Sequence, residues 1–392
     1  MNWLPDVQNE LRRLGLDGWL SYDFRGSNPV AQSILRPLLE GSLASRRVFL
    51  MIPATGRPTL LVHAIEVRSL SSELPVTVRS YASRQSLDAE LTGLLKGKAR
   101  VAMEYSPLGD NPYVGTVDAG TVERVRSLGA EVVSSGDLAQ VFELWTEEQL
   151  GQHLEAAAAV IAAKDAAFAF LAERTHEGLE VRETEVQRLI EERFNRGGLE
   201  YGHSPNVSFG ANAGDPHYEP LAGVRDALLR PGDVVLIDLW AKLPQRTAPF
   251  ADVTWMGVFG EPSSEVKATF AAVREARDAA LRAIAAAYAA GRWPEGGEID
   301  RAARKVLADA GHADAFKHRT GHSLGIKSAH GLAAHLDDFE TADRRLLRPG
   351  LGVTIEPGAY YPHYGVRSEI NVYLDEHGPR ATTELQAELE LL

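Results

Sequence analysis

The 392-residue chain contains no cysteine. Disulfide bonds and thiolate metal sites are therefore excluded, so a metal centre in this protein must use oxygen and imidazole ligands. Long apolar segments are also missing, because the longest, residues 156–171, is interrupted by Lys164 and Asp165 and is too short to span a bilayer. The first residues, MNWLPDVQNELRRLGL, contain no apolar core behind a basic region. These features predict a cytoplasmic protein with no membrane partner.

Positive charge is in deficit. The chain has 41 Lys and Arg residues against 54 Asp and Glu residues, a formal net charge of −13. Such a balance argues against a phosphate-binding surface, and we expect no nucleic-acid partner. No fixed-period repeat or low-complexity linker interrupts the chain.

The sequence pattern changes near residue 145. Before it, short apolar runs such as RVFLMIP alternate with helical stretches such as DAELTGLLKG, which is typical of a small α/β domain. After it, Thr146 and Gln149 form a capping box that begins a long helix. We therefore predict two domains, residues 1–144 and 145–392. Two later helices are predicted at 264–290 and 298–310, and the alanine content of the first indicates close helix packing.

Two aspartates occur where the chain otherwise predicts buried strands. Asp238 follows the apolar run 234–237, and Asp252 alternates with Phe250 and Thr254. Aspartate is depleted in strands, and an unpaired buried carboxylate costs about 1–3 kcal/mol even in lenient protein data. A cation must therefore compensate these groups.

Basic side chains are too few to supply that charge. Only Lys242, Arg246 and Arg367 lie beside the acidic positions in sequence. Two divalent metal ions balance four carboxylates, and a water held between them would ionise near neutral pH. Oxygen ligands with one imidazole favour Mn, Co, Fe or Zn.

Each of these residues has a simpler interpretation when it is taken alone. An aspartate in a strand is usually part of a salt bridge or lies at an edge, and His322 could be a core histidine. Arg367 and Glu369 could be a cross-strand ion pair. The ordered set is what favours a metal centre. Its members occur in the contexts DLW, ADVTW, GHSLG, IEPGAY and GVRSE, at Asp238, Asp252, His322, Glu356 and Glu369.

This ordered set resembles the pita-bread metallopeptidases, a group that includes methionine aminopeptidase, aminopeptidase P and prolidase. The resemblance covers roughly residues 146 to 378. It implies an α/β (α+β) protein with a small creatinase-like N-terminal α/β domain and a C-terminal pita-bread domain built on a curved antiparallel sheet. It also implies that Asp238 chelates one metal, that His322 and Glu356 bind the other, and that Asp252 and Glu369 bridge both. Glu356 would shuttle the proton from the attacking water to the leaving amine.

Three further histidines match the family's substrate-binding positions. His217, in GDPHYEP, stands where the family places a histidine close to the scissile peptide. His330 resembles the histidine that contacts the substrate carbonyl and stabilises the oxyanion. His318 precedes His322 in HRTGH, like an element of the proline-directed branch. A structural role is the alternative for each. The remaining histidines that we considered match nothing and are predicted to lie at the surface: His153, His312, His335 and His363.

Arg367 and Tyr360 complete the predicted substrate site. Arg367 is two residues from Glu369, so both side chains face the same side of a strand. In the proline-directed branch, the matching arginine lies near the substrate and a bridging carboxylate. Tyr360 would pack or form a hydrogen bond beside it, and plain core packing is the alternative.

Four departures from the family pattern bear on specificity. The interval between Asp238 and Asp252 is longer than usual, and we assign the insertion to the turn KLPQRTAP. Trp255 stands where relatives often have arginine, Gly331 replaces a frequent acidic residue, and His203 replaces a frequent tyrosine. We expect the last three to line the substrate pocket more than the metal site.

Cleavage of the Xaa-Pro bond is the activity that this resemblance implies best. An Xaa-Pro bond lacks an amide N–H and carries a fixed ring, so it needs a dedicated pocket. Within this branch we favour prolidase acting on dipeptides, as a homodimer with two divalent ions (Mn, Co or Zn). The segment DFRGSNP, with Arg46 and Arg47, would meet the dipeptide's charged ends across the dimer interface. The alternatives are aminopeptidase P, a pita-bread binding module without catalysis, and creatinase-like amidine hydrolysis.

Overall fold

A computed structural model describes residues 3–39, 44–70 and 75–392. The chain divides into two compact units, Met1–Phe142 and Glu143–Leu392. Within the described residues, no helix combines the length and the apolar character needed to cross a membrane.

The N-terminal unit is a six-stranded mixed sheet with helices on both faces. Its strands lie in the order β4-β3-β2-β1-β5-β6. The pairs of β1 with β2 and β2 with β3 are antiparallel, and the other pairs are parallel. The strands are β1 (Gly18–Phe24), β2 (Arg47–Pro53), β3 (Thr59–His63), β4 (Thr77–Tyr81), β5 (Arg100–Met103) and β6 (Glu131–Ser134). The helices are α1 (Leu4–Arg13), α2 (Pro29–Leu38), α3 (Arg84–Leu95), α4 (Ala119–Ser127) and α5 (Gly136–Ala139).

Alternation along β1 divides the core of this unit between the two sheet faces. Trp19 packs into one apolar cluster, while Leu20 and Tyr22 pack into the other. Glu104 is fully buried beside β1, where it accepts hydrogen bonds from Trp19 Nε1 at 2.7 Å and from Asn28 Nδ2 at 2.9 Å. Asn28 also caps α2 by accepting from the Ala31 N–H at 3.1 Å.

The C-terminal unit is rich in sheet and begins with the predicted capping box. The Thr146 N–H donates to Gln149 Oε1 at 2.9 Å, and the Gln149 N–H donates to Thr146 Oγ1 at 3.2 Å. The helices are α6 (Glu147–His176), α7 (Glu183–Arg196), α8 (Ser264–Ala289) and α9 (Gly296–Asp309). The strands are β7 (Asn206–Phe209), β8 (Val234–Ala241), β9 (Ala251–Val258), β10 (Gly352–Ile355), β11 (Gly358–Tyr361), β12 (Tyr364–Arg367), β13 (Ile370–Asp375), β14 (Gly378–Ala381) and β15 (Glu390–Leu391).

These strands form two half-sheets and a separate hairpin. One half-sheet has the order β15-β9-β8-β7, the other has the order β10-β13-β14, and β11 pairs with β12. The prediction of a small α/β unit followed by a sheet-rich unit is confirmed. The sheet is not entirely antiparallel, however, because β15 pairs with β9 in parallel at the chain's end.

The hairpin β8–β9 brings the two aspartates to one face. Asp238 lies opposite Thr254, and Asp252 lies opposite Trp240, so the extra residues do form the connecting turn and leave the register intact. The opposite face of the hairpin packs against α6 and α7 through odd-numbered residues such as Ile237. Even-numbered residues at the far end, including Val234, Leu236, Met256 and Val258, pack into the core with α8 and α9. One face therefore changes from apolar to acidic along its length.

Small side chains allow the close packing of α8 that the sequence predicts. Ala276, Ala280 and Ala287 of α8 are buried, in the same cluster as Ile299 and Ala303 of α9. The two helices begin and end within two residues of the predicted limits. The alanines support packing rather than chemistry.

Two histidines predicted to be at the surface are buried. His153 has 0% exposure; it contacts Phe250 O through Nδ1 at 2.9 Å and Thr382 Oγ1 through Nε2 at 2.7 Å. His335 has 0% exposure and its Nδ1 accepts from the Ser323 N–H at 3.2 Å. The prediction is wrong for both, because each imidazole joins segments that are distant in sequence. His363 is exposed as predicted, and His312 is half-buried against Tyr361.

Candidate metal centre

Ligand atoms of the predicted set converge on the acidic face of the sheet. His322 Nε2 lies 3.6 Å from Asp252 Oδ2 and 3.5 Å from Glu356 Oε1. Asp252, His322 and Glu369 each present one ligand atom, and these atoms lie within 4.8 Å of one another. Asp238 belongs to the same neighbourhood, since Thr254 Oγ1 lies 3.3 Å from Asp238 Oδ1 and 2.8 Å from Glu369 Oε2.

His322 is oriented by its neighbours so that Nε2 faces the carboxylates. Its Nδ1 lies 2.9 Å from Ser323 O, and a carbonyl only accepts, so the proton is on Nδ1. Its backbone N–H donates to Thr354 Oγ1 at 3.0 Å. Glycine is required immediately before it, because a Cβ on Gly321 would lie 2.2 Å from Thr354 O. This is the ligand arrangement in which a second hydrogen bond fixes the tautomer of a metal-binding histidine.

Arg367 and Thr254 link the carboxylates on the far side of the cluster. The Arg367 guanidinium forms a short ion pair with Asp238 through Nη2, and its Nε donates to Thr254 Oγ1 at 2.8 Å. The single hydroxyl proton of Thr254 then points to Glu369 Oε2, the nearer of its two acceptors. Three side chains from β8, β9 and β12 are thereby fixed relative to Glu369.

Burial dominates the electrostatics of the acids. It raises the pKa of Asp238 to about 7, although Arg367 opposes the shift. Burial, together with the charges of Asp252 and Glu356, raises the pKa of Glu369 well above its usual value. Burial also raises the pKa of Asp252, against the effect of His322. Like charges this close cannot all be ionised without a cation between them.

The residues present fit divalent metal ions. Asp252 Oδ1 is buried and has no hydrogen-bond partner among the described residues. A buried carboxylate oxygen without a donor, facing other carboxylates and an imidazole, is costly unless a cation occupies the space. Four carboxylates and one imidazole are hard and borderline donors that suit Mn, Co or Zn.

His330 lies beside this cluster as a neutral hydrogen-bond donor. Its ring centroid is 4.0 Å from that of His322, and Arg319 Nη2 donates to its Nδ1 at 3.1 Å. The charge of His322 and partial burial lower the pKa of His330 to about 3. Because Nδ1 accepts, the proton is on Nε2, the atom left for a ligand. His217 lies on an exposed loop before β8 and adds a small contribution to the lowered pKa of His330.

His318, Tyr360 and Arg367 form a second wall. His318 Nε2 lies 2.8 Å from the Tyr360 hydroxyl, and its Nδ1 lies 2.8 Å from Arg319 O. Burial lowers the pKa of His318 to about 4, so the imidazole is neutral. Arg367 Nη1 donates to the Tyr360 hydroxyl at 3.5 Å. Tyr360 is therefore both buried and connected to the carboxylate cluster through Arg367.

The expectation that Trp255 lines the substrate pocket is wrong. Its side chain points away from Asp252 and Thr254 because residues alternate along β9. It is buried in the cluster with α6 and α7, and Lys164 Nζ lies 3.9 Å from its ring centroid. Its Nε1 donates to Glu390 at 3.2 Å.

Steric contacts explain why position 331 is a glycine. A Cβ at Gly331 would lie 2.8 Å from Ser323 Oγ and 3.1 Å from Gly325 Cα, so the acidic residue frequent in relatives has no room here. The fourth departure, His203, is exposed.

Several residues that organise the site were missed from sequence. Thr254 and Thr354 each lie two residues from a predicted ligand, and period-two alternation could have identified both. Thr354 Oγ1 lies 3.2 Å from Glu356 Oε1. No sequence pattern indicated a role for Arg319, because its contact with His330 depends on how the intervening loop folds back.

The comparison with known families agrees with this geometry. Residues 152–376, more than half of the chain, match Metallopeptidase family M24. The chain belongs to metallopeptidase family M24. The resemblance noted from sequence is therefore confirmed, and the family is one of metal-dependent peptidases.

The proteins and solved structures that resemble this chain include dipeptidases. A probable dipeptidase PepE from Mycobacterium bovis is 35% identical over 185 residues, 47% of this chain and 44% of the relative, so the match spans less than half of that protein. The structure of dipeptidase PepE from Mycobacterium ulcerans aligns with a TM-score of 0.67 and 26% identity, covering 100% of this chain and 97% of that one. An Xaa-Pro dipeptidase from Bacillus anthracis aligns with a TM-score of 0.59 and 20% identity over 100% and 99% of the chains, which shows a shared fold.

Proposed function

We propose that this M24 metallopeptidase hydrolyses the Xaa-Pro bond of dipeptides with two divalent metal ions. One observation carries the proposal: His322 Nε2 faces Asp252 Oδ2 and Glu356 Oε1 at 3.6 and 3.5 Å, and Asp252 and Glu369 are buried. Asp238 would chelate one ion, His322 and Glu356 the other, and Asp252 and Glu369 both. Such a pair of ions lowers the pKa of water and polarises the scissile carbonyl.

Glu356 holds and moves the proton. Thr354 Oγ1 donates to Glu356 Oε1 at 3.2 Å, which restrains one oxygen of the carboxylate. The carboxylate accepts the proton of the attacking water and delivers it to the leaving proline nitrogen. Glu356 is accordingly the proposed general base and then the general acid.

The two exposed histidines bind the substrate carbonyl region. His330 Nε2 carries a proton because Arg319 donates to Nδ1, so it can donate to the oxygen that becomes negative during attack. His217 lies near His330 on the loop that precedes β8. Its backbone N–H donates to Asp215 Oδ1 at 3.0 Å, which restrains the loop at this residue.

Proline preference follows from what the site offers. A proline nitrogen has no N–H to donate, so recognition depends on the carbonyl groups and on contact with the ring. His330 supplies a donor for a carbonyl, while the neutral His318–Tyr360 pair, at a ring-centroid distance of 5.3 Å, supplies an uncharged aromatic wall. The shared fold with an Xaa-Pro dipeptidase supports the same substrate class.

Preference for dipeptides requires a cation near the substrate carboxylate. We propose that the protein is a homodimer and that Arg25, Arg46 or Arg47 of the neighbouring subunit supplies this cation. All three are exposed. Arg25 occupies a left-handed backbone conformation, φ 59°, in a turn held by Asp23, whose carboxylate accepts from Gly26 and Asn28 N–H groups at 2.8 and 3.0 Å. A turn this constrained presents its arginine at low entropic cost.

The decisive experiment is a substrate series on the metal-reconstituted enzyme. The series is Xaa-Pro, C-terminally amidated Xaa-Pro, Xaa-Pro-Yaa and a longer Xaa-Pro peptide, with exhaustively chelated enzyme as the control. We expect cleavage of the free dipeptide alone at high kcat/KM, and a rise in KM on amidation, because a charge-assisted hydrogen bond contributes roughly 1.5–3 kcal/mol.

Two outcomes would contradict the proposal. Equal or better cleavage of the tripeptide and the amide would assign the protein to aminopeptidase P. Full activity after chelation, with metal content verified by elemental analysis, would refute the metal mechanism.

A further inference from the structure

The outer edge of β9 is paired largely by side chains. β9 is bonded to β8 on one side and, at its end, to β15 on the other. Gln386 places its side-chain amide against Met256: Oε1 accepts from the backbone N–H at 3.0 Å and Nε2 donates to the carbonyl at 2.6 Å. Immediately before β9, the Phe250 carbonyl oxygen lies 2.9 Å from His153 Nδ1.

Asn371 makes the same two-way contact at Asp252. Its Oδ1 accepts from the Asp252 N–H at 2.9 Å, and its Nδ2 forms a short hydrogen bond to the Asp252 carbonyl. The backbone of Asn371 is already used, since its N–H donates to Thr383 Oγ1 and its carbonyl accepts from the Thr382 N–H, both at 2.8 Å. Only the side chain is left to reach β9, and it is fully buried there.

This amide spans the boundary between the two half-sheets. Across the residues described, β9 and β13 form no backbone ladder with each other. Asp252 lies on β9, and Glu369 lies immediately before β13, two residues from Asn371. The separation of these two acids is therefore set by the Asn371 amide and by the bond from Thr254 to Glu369 at 2.8 Å.

We infer that Asn371 is a positioning residue for the metal centre, acting through the backbone of Asp252. The inference rests on the metal site of the proposed function, but not on its peptide specificity. An amide that uses both its donor and its acceptor fixes distance and rotation of the Asp252 peptide. The carboxylate is thereby held facing His322 and Glu369 before any ion binds, which reduces the cost of assembling the site.

Gln386 provides a matched control. It forms the same pair of bonds to the same edge of β9, at Met256, whose side chain belongs to the apolar core. Asn371→Asp and Gln386→Glu are isosteric changes that each remove the amide donor. Asn371→Ser and Gln386→Ser remove both bonds. If side-chain pairing only stabilises β9, the two positions will behave alike.

The test is Co²⁺ titration of metal-free protein, followed by visible absorption, with the melting temperature of each metal-free variant. We expect both Asn371 variants to bind Co²⁺ about 10–100-fold more weakly than the wild type. The Gln386 variants should stay within about threefold of wild type despite a similar loss of melting temperature. The added negative charge of Asn371→Asp would by itself strengthen cation binding, so a loss in that variant reports geometry.

Each other result overturns the inference. If either folded Asn371 variant binds Co²⁺ with wild-type affinity, the Asn371 amide has no specific role at the metal site. The same conclusion follows if the Gln386 variants lose as much affinity, because the amide would then only support pairing at the edge of β9. Failure of both Asn371 variants to fold, with the Gln386 variants folded, would assign it to global stability. A wild-type protein that binds no Co²⁺ would instead refute the metal site, and with it this inference.

Discussion

Both units bury carboxylates inside a sheet, and they satisfy them differently. In the N-terminal unit, Glu104 has 0% exposure and receives neutral donors from Trp19 at 2.7 Å, Asn28 at 2.9 Å and the Tyr22 N–H at 3.4 Å. In the C-terminal unit, Arg367 pairs with Asp238, and Thr254 lies between Asp238 and Glu369. One oxygen of Asp252 has no partner within the described part of the chain.

This difference distinguishes a structural carboxylate, Glu104, from carboxylates that are candidate metal ligands. Burial raises the pKa of Glu104, but its donors are complete and no other acid faces it in those contacts. A buried carboxylate with these donors is part of the scaffold, because both of its oxygens have regained hydrogen bonds in place of water. Several acids with too few donors leave a charge for an ion to neutralise.

Removal of a clustered acid is expected to have the largest effect. Asp252→Ala or Glu369→Ala deletes a proposed bridging ligand, so metal content should fall from two ions per chain and turnover should fall below detection. Elemental analysis of dialysed protein and dipeptide hydrolysis measure both. The matched control is Glu104→Gln, which should keep metals and kcat while losing about 1–3 kcal/mol of unfolding free energy, because one amide donor then faces other donors. Loss of metal from Glu104→Gln would contradict the distinction between the structural carboxylate and the candidate metal ligands.

A residue at the edge of the cluster tests where the metal site ends. His330→Ala should leave the metal content unchanged and lower kcat by about 10²-fold, since it removes the proposed donor to the developing oxyanion. Steady-state kinetics normalised to bound metal give the result. Arg319→Lys is a useful second variant, because it weakens the hydrogen bond to His330 Nδ1 while preserving the positive charge. Unchanged turnover per metal with reduced metal content would make His330 a ligand.

The smallest effect is expected from an isolated buried base. Burial lowers the pKa of His153 to about 4, from 6.5. Between those values the unfolded state binds more protons than the folded state, so the unfolding free energy should fall as pH drops from 6.5 to 4. His153→Gln lacks this contribution and should show a shallower loss, by up to about 1.4 kcal/mol per pH unit.

Urea denaturation of the metal-free proteins at pH 7, 5.5 and 4.5 measures that slope. Exposed His363→Gln is the control and should follow the wild type. Parallel curves for His153→Gln and wild type would mean that His153 is protonated without penalty, and that burial with two hydrogen-bond partners does not keep this base neutral.

Much of the fold could be predicted because it is local. The capping box at Thr146, the helices α8 and α9, and the long turn between β8 and β9 follow from side-chain spacing, capping chemistry and proline placement. Burial of His153 and His335 could not be predicted, because their partners lie far away in sequence, as Thr382 does from His153. The orientation of Trp255 was predictable from strand alternation, and family analogy overrode that evidence.

The sequence by itself determined the chemistry that this protein can perform. It contains no cysteine, and it carries four carboxylates and an imidazole at candidate ligand positions within residues 152–376, the region that matches the M24 family. Tertiary structure decided which atoms meet: the proton on His322 Nδ1, the Arg319 bond that leaves a donor on His330, and the Asn371 amide that joins the half-sheets. Residue types are fixed by covalent structure, whereas distances of a few ångströms between remote segments arise only when the whole sheet packs.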